Sequence, residues 1–295
     1  NDLFGYSVAM SDTKVVVSHS QNKPIGCVYV YNTDGTGELK IQDPTGNTYE
    51  GFGESVAVTE TKIAVGAYRN NNEQGAVYVY NTDGTGEQKI TASDGADNDR
   101  FGESVAMSDT KVIVGAPYDD DVRGAVYVYN TDGTGELRIT ASDRAQNDRF
   151  GYSVAVTDTK VVVGAPYNDD PTNSGSVYVY NTDGTGEVKI TASDGATSDN
   201  FGSSVAMSDT HIVVGVSLAD IVGSSSGCVY VYNTDGTGEV KITPSDAADN
   251  ERFGHAVAIQ GDKIIVGTPQ TGNGAVYVYN TDGSGEQKIS APAGV

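Results

Sequence analysis

Asp119, Asp120 and Asp121 stand in a row, with Asp97 and Asp99 a short way ahead of them. Hard cations seek clustered carboxylates, and calcium takes 6–8 oxygen ligands. These five aspartates are where calcium, as a cofactor, is expected; the competing account is an acidic loop that water alone solvates. Tyr118 opens the same stretch, and Tyr68-Arg69 and Tyr167-Asn168-Asp169-Asp170 open two others like it. An exposed ring with amide, carboxylate and guanidinium neighbours can stack on a partner and hydrogen-bond it. The expected ligand-binding set is therefore Tyr68, Arg69, Tyr118, Asp119, Asp120, Asp121, Tyr167, Asn168, Asp169 and Asp170, with simple packing as the alternative role for the rings.

Catalysis finds less support. His19, His211 and His255 share no metal-ligand spacing, and no Ser-His-Asp arrangement stands out. Glu54 and Glu103 occupy equivalent slots in successive copies of a repeat, a slot expected to line a central channel, so a carboxylate-pair glycosidase is the one enzymatic reading. The expectation is a non-enzyme.

With 40 acidic against 18 basic residues, the 295-residue chain has a formal charge of −22, which argues against nucleic acid as a partner. No apolar run approaches the ~20 residues of a spanning helix, so no membrane insertion is expected. The chain has no initiator Met and no signal-peptide pattern, and reads as a mature or excised domain. Cys27 and Cys228 each precede a Val-Tyr-Val-Tyr run, in a slot that other copies fill with Ala or Ser. They read as small buried residues, and a disulfide between copies one and five is not expected.

The elements that must carry these residues follow from a repeat. Val28-Tyr29-Val30-Tyr31-Asn32-Thr33-Asp34-Gly35-Thr36-Gly37-Glu38 returns at residues 77–87, 126–136, 177–187, 229–239 and 276–286, changed only by Ser284. Alternating β-branched and aromatic residues make a strand, and Asp-Gly with a second Gly makes a hairpin turn. The turn also gathers Asn, Asp and Glu, but a hairpin accounts for them without a cation. Each copy opens on Phe-Gly, at Phe4, Phe52, Phe101, Phe150, Phe201 and Phe253, with spacings of 48, 49, 49, 51 and 52. Four short antiparallel strands fit each period. The second and third are apolar at nearly every position, so both faces are buried and sheet lies against sheet. Radial stacking of blades satisfies this. The expected fold is all-β: one six-bladed β-propeller over 1–295, of four-stranded antiparallel blades, at about 1–51, 52–100, 101–149, 150–200, 201–252 and 253–295. The two termini, joined, complete one ordinary inter-copy loop and are expected to meet. Loops between strands two and three, and from strand four to the next Phe-Gly, share one end of the blades; these differ from copy to copy, so an individual site belongs there.

Phe-Gly, then Ser-Val-Ala, Val-Gly-Ala-Pro and Gly-Ala-Val-Tyr-Val-Tyr resembles the FG-GAP repeat of integrin α-chain propellers and of many bacterial and algal surface proteins. Residues 101–124 and 150–175 carry it best, with Gly115-Ala116-Pro117 and Gly164-Ala165-Pro166; copy one keeps only Ser18-His19-Ser20. The resemblance covers the whole chain. It implies a propeller, an extracellular or cell-surface location and adhesion to a protein or glycan ligand, as a monomer or as part of a larger surface protein. The integrin-like Asp-rich calcium loop is missing: the turn between strands one and two is only Ser11-Asp12-Thr13 in copy one. Six copies rather than seven is a further departure. A spacer unit without a ligand of its own is the alternative from another class.

Overall fold

The computed structural model describes residues 3–20, 26–168, 174–269 and 274–290. The expected meeting of the termini, and Asp169 and Asp170 of the ligand-binding set, lie outside the described residues. Within them the chain is a six-bladed β-propeller, each blade a four-stranded antiparallel sheet whose strands pair in sequence order. Blade three is typical, with strands Ser104–Met107, Lys111–Ala116, Ala125–Asn130 and Leu137–Ile139. No strand is shared between blades. The blades fall into two compact units: residues 1–142 with 150–152, and residues 143–149 with 153–295. No helix among the described residues is long and apolar enough to cross a membrane.

The uninterrupted apolar strands are buried on both sides. In blade three, Val112, Ile113 and Val114 are fully buried, and so are Ala125, Val126 and Tyr127. The layer between blades two and three shows why: Val77, Val79 and Ile90 of one meet Phe101, Val112, Val114 and Tyr127 of the next. The Phe of Phe-Gly fills this layer edge-on, with the Phe101 ring centroid 5.4 Å from that of Tyr127 and 6.1 Å from that of Tyr129. Cys27 and Cys228 are free and buried, and burial pushes the Cys228 thiol up to about 12, so it stays protonated and unreactive at neutral pH.

The two halves of the Phe-Gly and Gly-Ala-Pro motifs turn out to be one contact. A Cβ on Gly115 would stand 2.1 Å from the Gly151 carbonyl oxygen of the next blade. Ser104 Oγ donates to that same carbonyl at 2.8 Å, and Gly66 with Ser55, Gly164 with Ser153 and Gly215 with Ser204 repeat the arrangement. Blade one has Ser18 in the glycine slot. There Ser18 Oγ accepts from Ser7 N at 2.9 Å and Ser7 Oγ accepts from Val56 N at 3.2 Å instead, and the register of Leu3–Met10 and of Phe52–Val58 shifts across a bulge.

The recurring turn is a self-contained hairpin. Asp34 Oδ1 accepts from Thr36 N at 2.9 Å, and Lys14 Nζ donates to Asn32 Oδ1 at 2.8 Å. On the outer faces, Phe4, Val8 and Met10 of blade one, and Ile265, Val276 and Ile289 of blade six, are exposed.

Candidate functional site

The variable end is built from two kinds of loop, and much of its charge is committed to the scaffold. The loop from strand four to the next Phe-Gly places a Ser-Asp pair against the following blade. Asp94 lies 2.8 Å from the Tyr127 hydroxyl and 3.3 Å from Arg138 Nε. Asp143 accepts from Tyr178 at 2.7 Å and from Lys189 at 2.6 Å, and Asp246 does so from Tyr277 at 2.8 Å and Lys288 at 2.6 Å. The serine reaches the glutamate that ends the recurring turn: Ser93 Oγ donates to Glu136 at 2.5 Å and Ser245 Oγ to Glu286 at 2.5 Å. That glutamate also takes the second tyrosine of its own blade, as Tyr129 to Glu136 and Tyr279 to Glu286, both at 2.9 Å. The turn's glutamate is thus an inter-blade clasp, which a hairpin alone does not explain.

This clasp makes stability depend on acid. Hydrogen bonds from Lys241 and Tyr230 hold the Asp194 carboxyl below the usual carboxylate range, and those from Lys288 and Tyr277 do the same for Asp246. A folded-state value below the unfolded one stabilises fully above the unfolded value of about 3.9 and is lost as pH falls through the folded value. Thermal melts should therefore hold steady from pH 8 to about pH 5 and drop below about pH 4. Asp194→Asn should lower the plateau and flatten the acid limb; an unchanged limb would count against the clasp.

The loops between strands two and three start from a buried polar anchor. Asn70, Asp119 and Asn168 occupy equivalent places, at 4%, 4% and 1% exposure. Asp119 is held by Tyr127 at 2.8 Å and by Arg138. Asn168 donates to Asp148 at 3.0 Å and accepts from Ser176 at 3.0 Å. Beyond the anchor the chain arches through three left-handed residues: Asn71, Asn72 and Glu73 at φ 51°, 58° and 61°, and Asp120, Asp121 and Val122 at 50°, 58° and 67°. The arches present Asp120 and Asp121 outward, with side chains 41% and 77% exposed, beside Arg123 Nη1 at 3.2 and 3.9 Å.

The five aspartates of the metal set are dispersed. Asp97 accepts from Gln74 at 3.1 Å, and Asp99 is buried and closes its own loop by accepting from Ala96 N at 2.6 Å. Asp119 faces inward and Asp120 and Asp121 outward. Among the described residues, no three His, Cys, Asp or Glu side chains are grouped to hold a metal ion. The tyrosines divide as well. Tyr68 stands where Pro117 and Pro166 do and is buried, with the Arg69 guanidinium 5.0 Å from its ring centroid. Tyr118 and Tyr167 are half-buried under Arg100 at 4.1 Å and Arg149 at 4.5 Å. Those two arginines escaped the sequence reading, although each directly precedes a Phe-Gly. Arg100 also lies 2.7 Å from Glu73 and 3.6 Å from Glu103, while Glu54 accepts from the Tyr6 hydroxyl at 2.7 Å.

The FG-GAP repeat model matches residues 36–80, 85–129, 134–180, 185–232 and 237–279. The chain belongs to the FG-GAP repeat family. Each match begins in one blade's last turn and ends in the next blade's third strand, so the FG-GAP unit encloses a blade boundary rather than a blade. The first three strands of blade one, where Ser18 replaces the motif glycine, fall outside the matches. No curated protein matches the chain. Among solved structures it is similar to the β-propeller domain of the Trilobed protease from Pyrococcus furiosus, described as having an open velcro topology (14% identity, TM-score 0.61, 99% of this chain and 86% of that one). It is also similar to TolB from Acinetobacter baumannii (14% identity, TM-score 0.60, 95% of this chain and 64% of that one). At this identity both likenesses concern the fold alone.

Proposed function

We propose that this FG-GAP propeller is a non-catalytic binding or adhesion module, working outside the cell or at its surface, whose ligand is a protein or glycan held by the loop arches of blades two and three. The observation that carries the reading is the pair of left-handed arches. Asn and Asp tolerate that conformation, but at Glu73 and Val122 it costs roughly 1–2 kcal/mol each, and strain of this kind is kept where a shape is needed. Buried Asn70 and Asp119 fix the feet of the arches, which leaves Asn71, Asn72, Asp120 and Asp121 as a polar ridge on a rigid base. An acidic, amide-rich ridge suits a partner with basic or hydroxyl groups. The family is generally non-catalytic, and the Glu54 and Glu103 carboxylates, each beside its own tyrosine or arginine, serve packing in this reading.

Protein and glycan arrays probed with the intact chain would identify the partner. Asp120→Lys combined with Asp121→Lys should weaken its binding at least about tenfold, or ~1.4 kcal/mol, with the melting temperature unchanged. Equal binding by that variant would overturn the reading, and silence on both arrays would replace it with a spacer role.

A further inference from the structure

Among the described residues, one blade boundary lacks the clasp. Where other copies read Ala92-Ser93-Asp94, Ala141-Ser142-Asp143 and Ala192-Ser193-Asp194, the loop from blade one to blade two reads Asp43-Pro44-Thr45. The carboxylate has moved two places back, into a slot that the other described boundaries fill with Ala92, Ala141, Ala192 or Pro244. The tyrosine that elsewhere donates to this carboxylate, Tyr78, is stranded, and so is Tyr80, whose counterparts donate to the turn glutamate. Tyr78 and Tyr80 are 1% and 2% exposed, and neither hydroxyl has a hydrogen-bond partner. Asp43 is 5% exposed; Oδ1 accepts from Thr45 N at 2.9 Å and Thr45 Oγ1 at 2.8 Å, and Oδ2 has no partner. Lys89, the residue that elsewhere meets the clasp aspartate, donates instead to Asn70 at 2.8 Å. Burial, with Glu50 adding to it, pushes the Asp43 carboxyl up, and burial followed by the charges of Asp43 and Glu50 raises Tyr78.

Beside these stranded groups opens a cleft of 440 Å³, lined by Thr45, Asn47, Glu50, Asn70, Gln74 and Lys89 among others. We propose that this cleft between blades one and two is a carbohydrate-binding site for a neutral sugar. Its volume lies in the ordinary range of small-molecule sites, roughly 300–1,000 Å³, far more than a bare cation needs. Its walls carry the side-chain amides of Asn47, Asn70, Asn71 and Gln74 and two threonine hydroxyls, groups that both donate and accept, as vicinal sugar hydroxyls do. Glu50 and Lys89 bring one charge of each sign, so neither an anionic nor a cationic ligand is favoured. Asp43 and Tyr78 flank the cleft from behind its wall, Asp43 through the Thr45 hydroxyl that donates to it at 2.8 Å and Tyr78 through Lys89, whose Nζ lies 5.7 Å from the ring centroid. The cleft adjoins the arch of blade two, whose Asn70 and Asn71 stand on its wall, and takes no residue of the blade-three arch.

The test is an array of neutral and acidic oligosaccharides probed with the intact chain, with hits measured by calorimetry. A neutral sugar should bind. Asp43→Ala with Pro44→Ser and Thr45→Asp rebuilds the Ala-Ser-Asp clasp of the other boundaries; it should raise the melting temperature and weaken sugar binding at least tenfold. Asn47→Ala, at an exposed position on the cleft wall, should weaken binding several-fold with an unchanged melt. Absence of any neutral-sugar binding at millimolar concentration, a cleft that holds only water or calcium, or full binding by the rebuilt clasp would each overturn the proposal.

Discussion

Gly115→Ala should cost the fold about 3 kcal/mol, at the upper end of overpacking penalties, whereas Gly267→Ala at the same motif position in blade six should stay within about 0.5 kcal/mol. One added methyl group decides both outcomes. At Gly115 it would sit 2.1 Å from a backbone carbonyl and 2.2 Å from Ser104 Oγ, neither of which can swing away without breaking the bond they share. At Gly267 the nearest atoms belong to Ala256, at 3.6 Å, an ordinary contact. Blade one shows the form of the disruption, since a side chain in this slot at Ser18 coincides with an altered serine bond and a register shift. Urea unfolding of the two variants beside the parent chain provides the measurement, and equal losses would refute the packing account of the glycine.

The second large effect concerns the other half of the motif. Phe101→Ala removes a fully buried ring from the layer between blades two and three and should cost about 3–5 kcal/mol. Phe4→Ala, at the first copy of the same motif, removes a ring that is 56% exposed and should cost less than about 1 kcal/mol. Two phenylalanines with the same sequence neighbour would thus differ several-fold in consequence. Calorimetric melts would show it, and a Phe4 variant as unstable as the Phe101 one would mean that Phe4 is buried in solution.

The contrast marks where sequence reading succeeds. Blade number, strand order and two-sided burial were legible, because the period, the Phe-Gly starts and runs such as Val161-Val162-Val163 are local patterns with one physical solution. The clasp was not. Ser93 and Glu136 are far apart in the chain and meet only because blades stack. An acidic loop such as Ser93-Asp94 is also indistinguishable, as a string, from one that water solvates. The same blindness put Asp119 among ligand residues, when Tyr127 and Arg138 hold it inside the scaffold. The arches were half legible: Asn71, Asn72, Asp120 and Asp121 are residue types that tolerate positive φ, but Glu73 and Val122 are not, and only the fold imposes that conformation on them. The displaced aspartate at Asp43 was open to view in the aligned copies, yet it acquires meaning only once Asp94 and its equivalents are seen to hold a tyrosine and a base.

Every sheet here is made from one continuous stretch of chain, and that has a consequence for how such a molecule arises and assembles. Near-identical neighbours are a hazard in multi-repeat chains, because a strand of one copy can pair with its twin in the next and trap a swapped or misassembled species. In this chain the hairpins are tight, and each Asn-Thr-Asp-Gly turn is closed by its own aspartate and, in every blade but the fifth, where His211 stands instead, by its own blade's lysine. Local pairing is therefore complete before a twin strand has been synthesised. A ribosome could release such a protein one finished blade at a time, and a gene could lengthen or shorten by whole blades without re-threading any sheet. What a duplicated blade must renegotiate is only its boundary, where a few loop residues decide whether neighbours lock together or leave a gap.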